Sequence, residues 1–326
     1  MAHAFRAFRP VMRPVMRPVM RPVVRRMRTL CIDIGVVALL VVSGVVAAPA
    51  AQAHEAESMP HVTIFAHNNA SRTRFFYTMS TRAVPAGFVR FTLDNVSAGD
   101  HMAQFIKLKS GVSERLIVSE LTELFALPPG PKTAAEFKEL LTLATPAGGA
   151  NSIGPGERQD VIEHLTPGRY VIVCFDTTAK GVPHFELGMH ITFQVTHRVQ
   201  DDDAPSANGT VIERDHQILL PAVIHESETL RLRVTVRDQT HELGLVKLPD
   251  GTTRAQLLAC LSGQTCTIAA PPEDAGGTGA IAPGLTQWVI LHLQPGTYGA
   301  VCFVPDIHTG LPHALMGMVT VFTVTK

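Results

Sequence analysis

The chain repeats itself. A stretch from Pro155 to Thr196, PGERQDVIEHLTPGRYVIVCFDTTAKGVPHFELGMHITFQVT, returns from Pro283 to Thr325 as PGLTQWVILHLQPGTYGAVCFVPDIHTGLPHALMGMVTVFTVT. The copies align without a gap from Pro155/Pro283 to Cys174/Cys302. One extra residue then falls in the loop, and they realign from Gly181/Gly310. Self-similarity of this length means a duplicated unit, so every element has to be found twice. In both copies a Cys closes an apolar strand, a Pro-His pair follows after a loop, and Gly-Met begins four residues beyond the His.

A chain of 326 residues has room for two units with cores of ordinary size. Its beginning belongs to neither. Residues 1–28 are basic and repetitive, Ile32 to Ala48 is apolar, and the small-residue site Ala51-Gln52-Ala53 follows. That order predicts an export signal over residues 1–53 and a secreted or periplasmic protein with no stable membrane span after cleavage; an uncleaved anchor is the alternative. The zero net charge of the whole sequence is therefore misleading. Removing the eight Arg and one Asp of residues 1–53 leaves 20 basic and 27 acidic residues, an excess of about seven negative charges that argues against nucleic acid as a partner.

Strand-like alternation runs through Val62–Ala66, Arg74–Met79, Gly87–Leu93 and His101–Leu108. Two helices are expected next, one over Ser113 to Phe125 and one opening at Thr133 with Glu136 as its capping-box partner. A Gly-rich loop, Ala147 to Gly156, leads into the repeat. The second half follows the same order: strands at Thr229–Val236 and His241–Leu248, a short helix from Thr253 with Gln256 as capping partner, then a loop rich in Gly and Pro. His101 and His241 occupy equivalent places, each opening a strand with Leu seven residues on and Gly ten residues on. The polar sequence DDDAPSANG marks a linker at 199–209 between units spanning 60–198 and 210–326. Many short strands with helices only as inserts predict an all-β chain of two tandem β-sandwiches.

Four cysteines follow the signal. Cys260 and Cys266, close together in the second half only, are expected to form a local disulfide in an exported protein. Cys174 and Cys302 each stand alone on a strand, as either a buried inert thiol or a metal ligand. Each half shows the order His, Cys, His, Met: His101, Cys174, His184 and Met189, then His241, Cys302, His313 and Met318. Two imidazoles and a thiolate with a weak axial thioether make a blue-copper electron-transfer site. His164 and His292 are also repeat-equivalent but lie between apolar strand residues, where a structural His is expected. His308, in the long loop of the second copy only, is an alternative third ligand there.

Both halves resemble cupredoxin domains of the plastocyanin and azurin type, most specifically in the Y-x-x-V-C-F … G-x-P-H … G-M segment. The resemblance covers essentially the whole chain after the signal. It implies Greek-key sandwiches, one type 1 copper per unit held by the eight residues just named, and a redox protein as partner. The chain departs from the family pattern in two respects. Cys to His spans ten residues in the first copy and eleven in the second, longer than is usual, and the Asn that usually follows the early His is Met102 or Glu242 here. Tandem cupredoxins also build multicopper oxidases and nitrite reductases, which place a His directly beside the Cys. Cys174 and Cys302 are flanked by Val and Phe, no His-x-His follows the signal, and no hydrolase motif is present, so a non-enzymatic protein is expected. The second half, with its H-E-L and P-H-A-L-M-G-M segments, fits the family pattern more closely. The reading from a different class is a metal-free extracellular β-sandwich module with a structural or binding role.

Overall fold

Apolar and polar residues alternate along Thr229–Val234, where Leu230, Leu232 and Val234 are buried and the two arginines point outward. A computed structural model describing residues 59–199, 203–214 and 216–326 shows such strands assembled into two β-sandwiches. The expected signal over residues 1–53 and linker residues 200–202 lie outside the described residues.

The first sandwich runs β1 (His61–Asn68), β2 (Phe75–Met79), β3 (Ala83–Asn95), β4 (His101–Leu108), α1 (Glu114–Ala126), α2 (Pro131–Leu143), β5 (Ala144–Ile153), β6 (Arg158–Leu165), β7 (Gly168–Val173) and β8 (His190–Val199). The second runs β9 (Gly209–Arg214), β10 (Gln217–Leu219), β11 (Ile224–His225), β12 (Thr229–Val234), β13 (His241–Leu248), α3 (Arg254–Leu261), β14 (Glu273–Ile281), β15 (Thr286–Ile290), β16 (Gly296–Val301) and β17 (Val319–Thr325). One sheet of the first sandwich has the order β2-β1-β3-β6, and the other joins the start of β3 to β8, β7, β4 and β5. In the second sandwich the corresponding orders are β10-β9-β12-β15 and β11-β17-β16-β13-β14. The long strand β3 serves both sheets; its counterpart is split into β11 and β12. Rings close the first core: Phe91 of one sheet meets Phe105 of the other at 4.8 Å, and within the second sheet Tyr170 stacks on its cross-strand partner Phe193 at 5.1 Å. A tyrosine corner is repeated as well: Tyr170 donates to the Thr166 carbonyl and Tyr298 to that of Gln294.

The two sandwiches join edge to edge. β5 pairs antiparallel with β14, and β6 with β15, so both sheets run continuously across the junction. The pairs Ala275↔Ile153, Thr278↔Ala150 and Ile281↔Ala147 relate repeat-equivalent residues symmetrically, as an isologous interface does. Each half thereby covers the sheet edges that the other would leave open. Side chains reinforce the seam. Gln104 donates to the Ala280 carbonyl and accepts from its N–H, and Gln159 does the same with Ile290 and Gly277.

Three sequence expectations are corrected here. The Gly-rich segment after α2 is not a loop but strand β5 over most of its length, and the Gly/Pro-rich segment of the second half contains β14. Paired glycines in each, Gly148-Gly149 and Gly276-Gly277, have positive φ and form bulges opposite the His-bearing strands β4 and β13. The second helix begins at Pro131 rather than Thr133. Proline at the first helical position loses no intrahelical bond, and Thr133 instead donates to the Pro128 carbonyl. The other two helices start at the expected residues, with Ser113 capping α1 and Thr253–Gln256 forming a full capping box on α3.

Candidate metal centres

β4 and β13 each place a His at one end of the sandwich, and β7 and β16 deliver a Cys beside it. A loop then returns the second His on a short 3₁₀ turn, His184–Leu187 or His313–Met316. The unusual loop length is absorbed locally. Bridges Thr177↔Pro183 and Pro305↔Pro312 pinch the base of each loop, so the extra residues project as a small hairpin and the His comes back as from a short loop. The turn is fixed by the same bonds in both halves. The N–H after each His donates to the Cys carbonyl, the Met N–H donates to the His carbonyl, and the Cys N–H donates to the Met carbonyl. Gly188 and Gly317, with φ of 97° and 103°, make the left-handed step that leads into the Met.

The structure brings the two His and the Cys of each predicted set together. In the first half Cys174 Sγ lies 3.7 Å from His101 Nδ1 and 3.6 Å from His184 Nδ1, and the two nitrogens are 3.1 Å apart. In the second, Cys302 Sγ lies 3.7 Å from His241 Nδ1 and 3.4 Å from His313 Nδ1, again with 3.1 Å between nitrogens. Donors held about 2.0 Å (N) and 2.3 Å (S) from one first-row cation stand about 3.4–3.8 Å apart, so both triangles are close to the required size. The closer family fit of the second half has no counterpart in these distances. All eight predicted residues, Met189 and Met318 included, are at most 3% exposed. His308 is not part of the centre: it is exposed, with Nε2 3.2 Å from Asp238. His164 lies on seam strand β6 and His292 two residues beyond the end of β15, facing Asp160, and neither belongs to either group. Cys260, in the last turn of α3, is disulfide-bonded to Cys266 in the segment that follows.

The surroundings prepare these groups for a cation. Burial, together with the neighbouring histidines, holds His241 at about 4 and His313 at about 3, so both imidazoles are neutral and their lone pairs available. Burial pushes both thiols well up. Backbone N–H groups nevertheless point at each sulfur, from Met102 and Asp176 at Cys174 and from Glu242 and Val304 at Cys302, and stabilise a thiolate once a metal displaces its proton. Phe75 stacks on His184 at 4.0 Å, fixing the ring plane. On the other half, the Nε2 of His313 faces the side-chain amide oxygen Oε1 of Gln239 at 3.3 Å.

Several contributors lie beyond what the ligand pattern reveals. Glu242, where the family has Asn, accepts the Phe303 N–H at 2.9 Å and so braces the Cys302 loop. Asp306 organises the longer loop by accepting from His308, Thr309 and Gln239; these bonds outweigh burial and hold its carboxyl at about 2. Tyr77 lies beside Cys174 and donates to the Met102 carbonyl. Glu213 is fully buried near Cys302. Its signal was present in the sequence, since it is a charged residue at a core-facing position of β9, two places after Val211.

No protein-family model and no curated protein matches the chain. Among solved structures, a multicopper oxidase is similar at 15% identity, covering 81% of this chain and 88% of that one, with a TM-score of 0.23. Auracyanin from Roseiflexus castenholzii is similar at 19% identity over 41% of this chain and 96% of that one, TM-score 0.23. A copper-containing nitrite reductase from Thermus scotoductus is similar at 12% identity over 82% and 62%, TM-score 0.23. Strand order, the duplicated loop network and the two converging His–Cys–His groups describe a tandem pair of cupredoxin-like β-sandwiches.

Proposed function

We propose that the chain is an exported protein that holds one copper ion in each half for electron transfer or copper handling. The ligands would be His101, Cys174, His184 and Met189 in the first half and His241, Cys302, His313 and Met318 in the second. The observation that carries this reading is the convergence of two Nδ1 atoms and one Sγ in each half, at the size a single cation requires. Bound copper supplies a one-electron centre. The protein's part is to hold three donors in fixed orientation, to turn both Nδ1 atoms inward and to keep water out of a pocket whose ligands are buried. We read the protein as a carrier rather than an enzyme because Phe175 and Phe303 stand where wired oxidases and reductases have a His. Leu311 and Leu315, both exposed and flanking His313 in sequence, offer an apolar surface to a redox protein partner. No helix among the described residues is long and apolar enough to cross a membrane.

The test is the visible spectrum after one Cu(II) per half is added and the excess removed. An intense thiolate-to-copper band that halves in Cys174→Ser and in Cys302→Ser, and vanishes in the double variant, is the expected result. A colourless protein that keeps no copper would overturn the reading and leave two sandwiches retained for their shape.

A further inference from the structure

An open hollow of about 770 Å³ on the first sandwich is lined by Lys107, Lys109, Ser110, Thr145 and Arg169, and no acidic residue borders it. Lys107 stands near the end of β4 and Arg169 near the start of β7, whereas His101 opens β4 and Cys174 follows β7. The hollow and the first metal centre therefore lie at opposite ends of the same strands. The three cations are held in place by neutral acceptors only. Lys107 Nζ donates to Thr166 Oγ1, Lys109 Nζ to the Leu141 carbonyl, and the Arg169 guanidinium to the Val112 carbonyl. A lysine has three donors and an arginine five, so these contacts fix the head groups without exhausting their donors or neutralising their charge. Among the described residues none of the three has a carboxylate partner. Partial burial already holds the Lys107 ammonium below its ordinary pKa, a cost that a neighbouring anion would offset.

The second copy fills the equivalent place from within. Lys247 stands 5.8 Å from the ring of Tyr298, as its counterpart Lys107 stands 5.8 Å from the ring of Tyr170. Around that shared frame the second copy has Pro249 for Lys109, Asp250 for Ser110 and Thr297 for Arg169. It drops two cations and gains a carboxylate, and Asp250 Oδ1 accepts from Thr297 Oγ1 at 3.2 Å. Asp250 Oδ1 and Lys247 Cε flank the same glycine: a Cβ on Gly296 would lie 3.9 Å from the one and 4.0 Å from the other. An anion thus belongs to this position of the fold in one copy, while the other copy offers only a hydroxyl and three uncompensated cations. The arginine fork suits a multi-oxygen anion, and lysines add point charges from other directions. The cations line a recess beside the turn Lys109–Val112, which suits a small solute. We propose that this hollow binds a soluble oxyanion of the phosphate class, held by Lys107, Lys109 and Arg169, with Ser110 adding a hydrogen bond. The proposal does not depend on copper.

The test is isothermal titration of the full chain with inorganic phosphate at low ionic strength, with chloride as the control anion. One phosphate per chain should bind with a Kd of about 1 mM or below, and chloride at least about tenfold more weakly, because a single atom cannot span the three cations. Ser110→Asp gives the first half the carboxylate that the second carries and should weaken phosphate at least about tenfold, whereas Ser110→Asn should stay within about threefold of the parent. Ser110 is exposed in a turn outside every strand and helix, so neither variant disturbs a packed position. No binding at about 10 mM phosphate, a Ser110→Asp variant that binds as the parent does, or an equal loss in the Asp and Asn variants would each overturn the proposal. Retention of the chain on phosphatidylglycerol vesicles without binding of inorganic phosphate would overturn it too, in favour of a membrane surface.

Discussion

The paired glycines at the seam tie the fold to the metal centres, and Gly149→Ala is the sharpest way to separate the two contributions. Gly149 has φ of 102°, outside even the left-handed helical region that other residues occasionally adopt. A Cβ there would stand 2.0 Å from the carbonyl oxygen of Ala103 and 3.0 Å from Phe105 Cδ1. Restoring an ordinary contact of 3.4 Å moves the backbone at Ala103 by roughly 1.4 Å, two residues from His101. Backbone strain of about 1–3 kcal/mol and overpacking of about 1–3 kcal/mol give a destabilisation of about 2–6 kcal/mol. For a folded chain of this size that lowers Tm by about 5–20 °C. Metal sites tolerate ligand displacements of only about 0.2 Å, so the first site should lose its copper and the second keep it. Gly277→Ala, whose Cβ would meet the Leu243 carbonyl at 1.9 Å, should show the mirror-image result. Gly156→Ala is the control, because φ is also positive there but nothing lies within 4 Å. Thermal unfolding and bound copper per chain are the two readouts. A Gly149→Ala protein that melts with the Gly156→Ala control and still binds two coppers would refute the link between the bulge and the position of His101.

Three further outcomes are expected. Glu163 is buried on β6 with its carboxyl pushed well up by burial, although it accepts the Gly149 N–H at 2.6 Å. The folded state then binds more protons than the unfolded one above about pH 4.5, so stability falls as pH rises; Glu163→Gln should stabilise the chain by at least about 1 kcal/mol at pH 8 and by nothing at pH 4, read by urea titration. The second site's histidines are neutral above about pH 5 while its thiol is protonated, so loading releases one proton and apparent copper affinity should rise about tenfold per pH unit from 5 to 8 in a competition assay; a flat profile would exclude Cys302 as a ligand. Phe75→Ala removes the ring stacked on His184 and leaves a void, which should cost about 3–5 kcal/mol and speed copper release from the first site alone, measured by transfer to a chelator.

The two converging His–Cys–His groups were legible because duplication supplied its own control: a His or Cys that recurs at the same place in two diverged copies stands out from residues that merely pack. The seam was not legible, and the reason is physical. β5 and β14 are rich in Gly, show no clean alternation and read as loops, because they are covered by the other half and bend at bulges. A strand whose partner lies more than a hundred residues away carries no local signal of being paired. Loop length misleads for the same kind of reason, since ten or eleven residues from Cys to His look loose until the bridges Thr177↔Pro183 and Pro305↔Pro312 are seen to close them. Where the copies differ, the structure also gives the differences a place. The first half spends its insert on the hairpin α1–α2, which roofs a cavity at the seam, whereas the second carries a single short helix tied by Cys260–Cys266. A hairpin laid over the junction puts Phe125 and Phe137 into the same space as Phe175 and Phe303, so the insert that differs most between the copies borders both Cys loops.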